Sequence, residues 1–583
     1  MIERKRSLGD SKSKLGCVEC TRLGPLMRRI LAFTCFSLVA CYSIGEGIAP
    51  PLGSIYFPTG LAVSSDSSHL YVVNSDFDLQ YNAGTLQSLD LNRIHSLIPR
   101  GCSSDANCPS DKYCDVPAGA DDKVEHSYWC VDRSGQYQGL PCSALGERST
   151  DDRVTVPGRC QSIDLQSPQD GGSSLVTAAV AIGAFATDVI TRKFPDASRY
   201  LERVFIPVRG ESSVNWIDVS PDAKLECGQS AGKPCDTHHR TGQDPSDNSR
   251  GLKMPPEPYA IAATADASAI VVTHQTQGAV SLLVNDWIEG PHLEFVATNL
   301  PPMPIAAIAV PQPMVVQSGL YALAPGFLIA YETTPRIDLF RFAADAVSTP
   351  ARPYLELASS TNVTINSGGY DVRGIAIDDT ARRKCESTAE GSNTSCVTDC
   401  ANLSDDAQRG QCESVCQAGL ADQLMSCANV PLDIYASSRS PASLLIGRTS
   451  PNTQLTPSSD IPYFYDAFPM PTGPSRILVG QIINEAGSLE TRIFVVCFDS
   501  RRVAIYDPVR RDVEAWITTG RGPQAITLDV LAPDSNNEGH AYAFLGHFTD
   551  SYVGIVELDR RRGRSYSNII LSLGSATPPR TSK

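Results

Sequence analysis

Basic residues are scarce: 49 Lys and Arg stand against 64 Asp and Glu, a net charge of −15. Nucleic-acid binding rewards clustered Lys and Arg on one surface, so this balance argues against that partner class. Helical periodicity is nearly absent outside 396–416, which excludes all-α and alternating α/β architectures. Beyond residue 40 no apolar run approaches the twenty or so residues that a membrane-spanning helix needs. Metalloprotease, phosphate-loop and dinucleotide fingerprints are missing too, so none of those enzyme classes has a signature here.

What is present begins with an export signal. Arg28 and Arg29 precede an apolar stretch, Ile30 to Ala40, of the length of a signal-peptide core. The stretch ends in Leu38, Val39, Ala40 and Cys41, which resembles the lipobox of bacterial lipoproteins. The resemblance implies that residues 1–40 are removed and that Cys41 takes the lipid. Met1–Leu26 fits no export signal, and Met27 reads as the true start, so Cys17 and Cys20 would not be made. Removing 1–40 takes away eight basic and three acidic residues and leaves a charge of −20. The expected location is the cell envelope, with the outer membrane favoured because Tyr42, rather than Asp, follows the lipidated position. Residues 41–56 read as a tether. The membrane, through the lipid, is thus one expected partner.

Fifteen cysteines follow Cys41 in a pattern that suits an oxidising compartment. Cys102, Cys108, Cys114, Cys130, Cys142 and Cys160 form one even cluster, in a segment (98–175) too polar to fold on an apolar core. Its connectivity stays open among fifteen possibilities. Cys227 and Cys235 are a local pair. In 382–430, Cys396 and Cys400 are spaced to share one helix face, and so are Cys412 and Cys416. Two short antiparallel helices would join Cys396 to Cys416 and Cys400 to Cys412, with Cys385–Cys427 closing the base; zinc is the rival use of these thiols. Cys497, in an apolar β run, reads as a buried free thiol.

The remainder repeats. A Pro-led β run, a polar turn and two further apolar runs recur, most clearly at Pro58–Asp90, Pro258–Leu283 and Pro523–Val556. Weaker copies start at Ala184, Pro304, Val372 and Ile477, giving seven. Repeats of this length with strand alternation indicate an all-β fold: a propeller of about seven blades over 57–583, whose closed ring hides its sheet edges. The first cysteine cluster would link blades one and two, and the second would interrupt blade five as a helical hairpin. The phrase from Pro58 to Asn74 resembles the YVTN and lactonase-like bacterial propellers. That resemblance implies a fold, and a lactonase-like hydrolase as one possible activity, since propellers host enzymes and binding proteins alike.

Candidate chemistry is sparse. Gly228–Gly232 matches G-x-S-x-G but lacks the strand and helix of a nucleophile elbow. His238 and His239 read as solvated loop residues. Asn74, Asp76 and Asp78 place oxygens at alternate positions, as calcium loops begin, without that loop's glycine and closing glutamate. No cofactor is expected, and calcium is the one candidate these oxygens offer. The resulting expectation is a non-enzymatic binding or scaffold lipoprotein with a protein or glycan partner. The alternative is an exported lactonase-like hydrolase using a divalent metal.

Overall fold

The computed structural model describes residues 47–98, most of 101–115, 128–132, and 162–576 apart from short gaps at 169–171, 229–232, 346, 350, 364–369, 451–454 and 536. Seven antiparallel sheets follow one another along the chain as the blades of a β-propeller. Their innermost strands are Pro58–Val63, Ile190–Lys193, Pro258–Ala263, Pro304–Val310, Tyr370–Asp378, Pro474–Ile483 and Pro523–Leu531. In each blade the chain then steps outward strand by strand, so every blade comes from one continuous stretch apart from its inserts, except that blade seven also takes the two-residue strand Ser162–Ile163 at its outer edge.

Proline opens five of these inner strands, a position where its missing N–H costs no ladder bond. Six inner strands carry a register shift at this end, as between Pro58 and Gly60, Pro258 and Ile261, or Pro523 and Ala525. Such bulges bend a strand and re-aim its side chains. Small residues follow, because neighbouring inner strands converge on the axis. A Cβ on Gly374 would lie 2.7 Å from the Ser475 carbonyl oxygen.

The core is divided among the blade interfaces. One apolar cluster joins blades six and seven through Phe494, Ile505, Leu545 and Val556, and another joins blades two and three through Phe205, Trp216, Ile270 and Leu283. Arg203 crosses that second interface. Its guanidinium makes a bidentate pair with Asp218 (2.6 and 2.9 Å), donates to Asn285 Oδ1 (2.8 Å) and lies 4.2 Å from the Trp216 ring centre.

Strands alternate in direction, so first-to-second and third-to-fourth connections leave one face of the ring and the others leave the opposite face. The cysteine-rich segment 98–175 connects the third and fourth strands of blade one, Gly84–Asp90 and Val176–Ile182. It therefore interrupts blade one rather than linking blades one and two. The reason is that the fourth strand, VTAAVAI, lies beyond the long insertion, far along the chain from the three strands it joins. The run from Ala184 to Val189 is likewise not the inner strand of blade two, which starts at Ile190. Ile55 and Tyr56, expected in the tether, are buried; Ile55 joins the blade one–seven core and the Tyr56 hydroxyl donates to Thr85 Oγ1.

The second insertion connects the first two strands of blade five and so leaves the same face as the first. Its helices, Thr380–Ala401 and Asp406–Ala428, have 22 and 23 residues, longer than the short pair expected. They pair as the spacing implies, through Cys385–Cys427, Cys396–Cys416 and Cys400–Cys412, which leaves these sulfurs no thiolate to offer zinc. Cys227–Cys235 is also formed, and Cys497 is free and buried. Cys108 and Cys114 are disulfide-bonded. Cys41, Cys142 and Cys160 lie outside the described residues, as do the side chains of Cys102 and Cys130.

Candidate functional site

The axis of the ring is a cavity of about 720 Å³ lined by the inner strands. Its most polar part lies where the bulges are. The position after the leading proline, or its equivalent, is Thr59, Asp188, Tyr259, Ile305, Arg373, Ser475 and Gln524 in blades one to seven. Six of these line the axial cavity and Thr59 lines its mouth. Each blade thus delivers one unlike side chain to a common opening. The next position is small in most blades, but in blade six it is Arg476, which reaches across the channel to pair with Asp188.

Tyr259 sits in the field of Arg209, Arg373 and Arg476, all of which work to lower its hydroxyl pKa; burial outweighs them and raises it. Burial also acts against the Arg476 cation, yet the Asp188 carboxylate reverses this and raises its pKa. Arg373 pairs with Glu332 (2.8 Å) and with Asp371, and Arg209 with Glu257 (3.1 Å). One donor is left over: Arg209 Nε is buried without a hydrogen-bond partner. A buried guanidinium N–H in that condition calls for an acceptor.

Aromatic rings flank this cradle. Phe77, Phe185, Phe498 and Phe548 line a recess of about 200 Å³ that shares Thr187, Tyr259, Phe498 and Gln524 with the axial cavity. Phe77 packs edge-on against Phe185 (5.9 Å between ring centres) and Phe548 (5.1 Å), and is itself half exposed. Phe57, Phe185 and Asp76, around this recess, all take positive φ, which fixes the loops in unusual turns. Rigid rings beside guanidinium groups can hold a flat apolar face and an anionic group at once. Asp188 is the carboxylate lining the cavity among the described residues, and it is already engaged by Arg476.

Each calcium candidate has one side-chain oxygen engaged by a backbone amide. Asn74 Oδ1 accepts from the Tyr56 amide (3.1 Å), and its Nδ2 donates to Thr85 and Gln87. Asp76 Oδ1 accepts from the Tyr81 amide (3.1 Å) and Asp78 Oδ1 from the Gln80 amide (3.2 Å). These are the turn-holding bonds of Asx residues. Asp76 Oδ2 is buried without a partner, and burial pushes the carboxyl up to about 6. His239 stacks on Trp216 (4.0 Å between ring centres) and bonds Asp236 at 2.7 Å, a structural role rather than a solvated one. Ser230 of the G-x-S-x-G segment lies outside the described residues.

Sequence reasoning missed the whole cradle. The available signal was the variable residue after each repeated proline: in a strand otherwise made of small apolar residues, Asp, Tyr, Arg and Gln have no packing reason to be there.

No family model and no curated protein sequence matches this chain. Solved structures do match it at low identity. It is similar to a Bacteroides uniformis protein described as a candidate 6-phosphogluconolactonase, with 13% identity over 82% of this chain and 91% of that one, TM-score 0.39. It is similar to a periplasmic gluconolactonase of Pseudomonas aeruginosa, with 11% identity over 80% and 85%, TM-score 0.36. Sqt1 of Saccharomyces cerevisiae matches with 8% identity over 88% and 98%, TM-score 0.39. Similarity at this level says nothing about activity.

Proposed function

We propose that this chain is an exported, lipid-anchored binding propeller whose channel mouth takes an acidic ligand, with the acid group on the arginines and a flat face on the phenylalanines. The observation that carries the reading is the grouping of Tyr259 with Arg209, Arg373 and Arg476 beside Phe77, Phe185, Phe498 and Phe548. An acidic sugar of an envelope glycan fits that chemistry: its carboxylate suits a guanidinium fork, and its C–H face suits an aromatic wall. The cavity volume lies in the usual range for a small-ligand site. A lactonase-like hydrolase would need a free base or a ligand set for a metal at the axis. Among the described residues, neither cluster of three possible metal-ligating groups lines the cavity.

Two experiments separate the parts of the proposal. Purified mature protein titrated with uronic-acid oligosaccharides, simple lactones and esters should bind the acidic sugars and turn over none of the panel. Turnover of a lactone, or no binding of any acidic sugar, would remove the binding reading. For the anchor, a Cys41→Ser variant expressed in a lipoprotein-processing bacterium should lose fatty-acid labelling and leave the membrane fraction; retained labelling would refute it.

A further inference from the structure

The ring closes with only a two-residue strand exchanged between its end blades. Blade one is built from residues 58–182 and blade seven from 523–573, and the two-residue strand Ser162–Ile163 pairs parallel with Ile569–Leu573 at the outer edge of blade seven. A closure of this kind relies on what lies between the end blades. Part of that is apolar, from Leu61, Leu70 and Val72 to Ala525, Phe544 and Val553. Part is polar and sits on the insertion face, away from the channel mouth.

There the short helix Leu91–Leu97, which follows the third strand of blade one, presents His95 to blade seven. His95 Nε2 lies 2.6 Å from Asp529 Oδ2, and His540 Nε2 lies 3.1 Å from the same oxygen. The imidazole centres are 4.4 Å apart, and Tyr542 stacks beside His540 (5.4 Å, 14°). One donor atom from each of the three residues lies within 4.8 Å of the other two. Asp529 is 2% exposed, whereas each histidine keeps about a fifth of its side chain open, His95 23% and His540 22%. The site therefore has a buried anionic floor, two nitrogen donors and an open side.

We propose that His95, Asp529 and His540 form a binding site for a first-row divalent cation, zinc by preference, that clamps blade one to blade seven. Two imidazoles and one carboxylate, with an open position for water, are a donor set zinc accepts, and soft-ligand and all-oxygen metals are disfavoured by it. Metal–ligand bonds of about 2.1 Å separate tetrahedral ligands by ~3.4 Å, so each nitrogen need move only a few tenths of an ångström to under one ångström from Asp529 Oδ2. Binding requires each Nε2 to offer its lone pair, with the ring proton on Nδ1, in place of the hydrogen bond it can donate to Asp529. The cation then adds a second link across the seam, which among the described strands is otherwise bridged by the two-residue pairing of Ser162–Ile163.

The test uses the oxidised, chelator-treated mature chain, titrated with Zn²⁺ and, for spectroscopy, Co²⁺. The expected result is one equivalent bound, cobalt bands of nitrogen–oxygen coordination, and a raised thermal midpoint. His95→Gln retains an amide donor for Asp529 but removes the imidazole, and His540→Gln does the same from blade seven. Each should weaken zinc by about 100-fold or more, since even outer-shell changes cost 10–100-fold, and should abolish the midpoint rise while the metal-free midpoint changes little. Stoichiometric binding unchanged in both variants, or no saturable binding to the wild type, would overturn the site and leave a plain hydrogen-bonded latch.

Discussion

The two faces of the ring are built by different means. On the mouth face most connections are short, the stretch between Leu225–Glu226 and Pro258–Ala263 being the long exception, and the working side chains stand on strand-end bulges or in turns held by Asx bonds and positive-φ residues, as at Phe57, Asp76 and Phe185. On the opposite face, large segments leave the blades and are held by sulfur: helices Thr380–Ala401 and Asp406–Ala428 bury few side chains and carry three disulfides between them. The lesson is that precision and reach are separated. A site fixed to a fraction of an ångström belongs on the rigid inner strands, whereas insertions can grow on the other face without disturbing it.

This contrast can be broken first at the hairpin. Cys385–Cys427 closes a span of 42 residues, and chain entropy assigns such a loop about 4 kcal/mol. Replacing both cysteines with alanine should loosen the base of the helices by about that amount. Hydrogen exchange should show faster amides there and unchanged amides in the inner strands; equal loosening of the blades would mean that the two faces are not independent.

A smaller effect is expected on the mouth face. Asp76 has a folded-state carboxyl raised to about 6 by burial, against an unfolded value near 4. The folded state therefore holds the proton more tightly, and stability falls as pH rises from about 4 to 6, then stays at its reduced level. Asp76→Asn, which keeps the acceptor for the Tyr81 amide and tolerates positive φ, should stabilise the chain by about 2–3 kcal/mol above pH 6. The gain should vanish below pH 4 in chemical denaturation; a gain independent of pH would show that charge burial is not its cause.

The smallest effect concerns the blade interior. Cys497 is fully buried with its thiol pushed up to about 12 by burial. Thiolate is the reactive form, so the native chain should resist alkylation at this position, and unfolding without reductant should expose Cys497 to the reagent. Rapid labelling in the native state would mean that blade six opens far more readily than its packing implies.

Much of the architecture was legible in sequence because its physical causes are local. Proline at the start of an inner strand, alternation along it and a polar turn after it repeat whenever a blade repeats. Likewise Cys396 and Cys400 lie one helical turn apart, so an antiparallel partner fixes their bonds. The fourth strand of blade one was hidden because Val176–Ile182 lies beyond a long insertion, separated from the rest of its blade. The cradle was hidden for another reason. Asp188, Tyr259, Arg373 and Arg476 come from four blades, and each is one variable residue in its own repeat. His95 and Asp529 are 434 residues apart, a distance only ring closure can bridge.

The central claim is that ligand recognition resides in the arginine cradle at the mouth and not in the insertions. Calorimetric titration of one uronic-acid oligosaccharide into the wild type, Arg476→Gln and the Cys385→Ala/Cys427→Ala variant tests it directly. Removing Arg476 leaves Asp188 facing an anionic ligand; the pair is only partly buried, Arg476 being 32% exposed, so the loss falls toward the lower end of the roughly 2–5 kcal/mol seen for buried charge pairs, and binding should fall by about 30-fold. The hairpin variant should bind as the wild type does. Equal affinity in wild type and Arg476→Gln, or loss confined to the hairpin variant, would contradict the account.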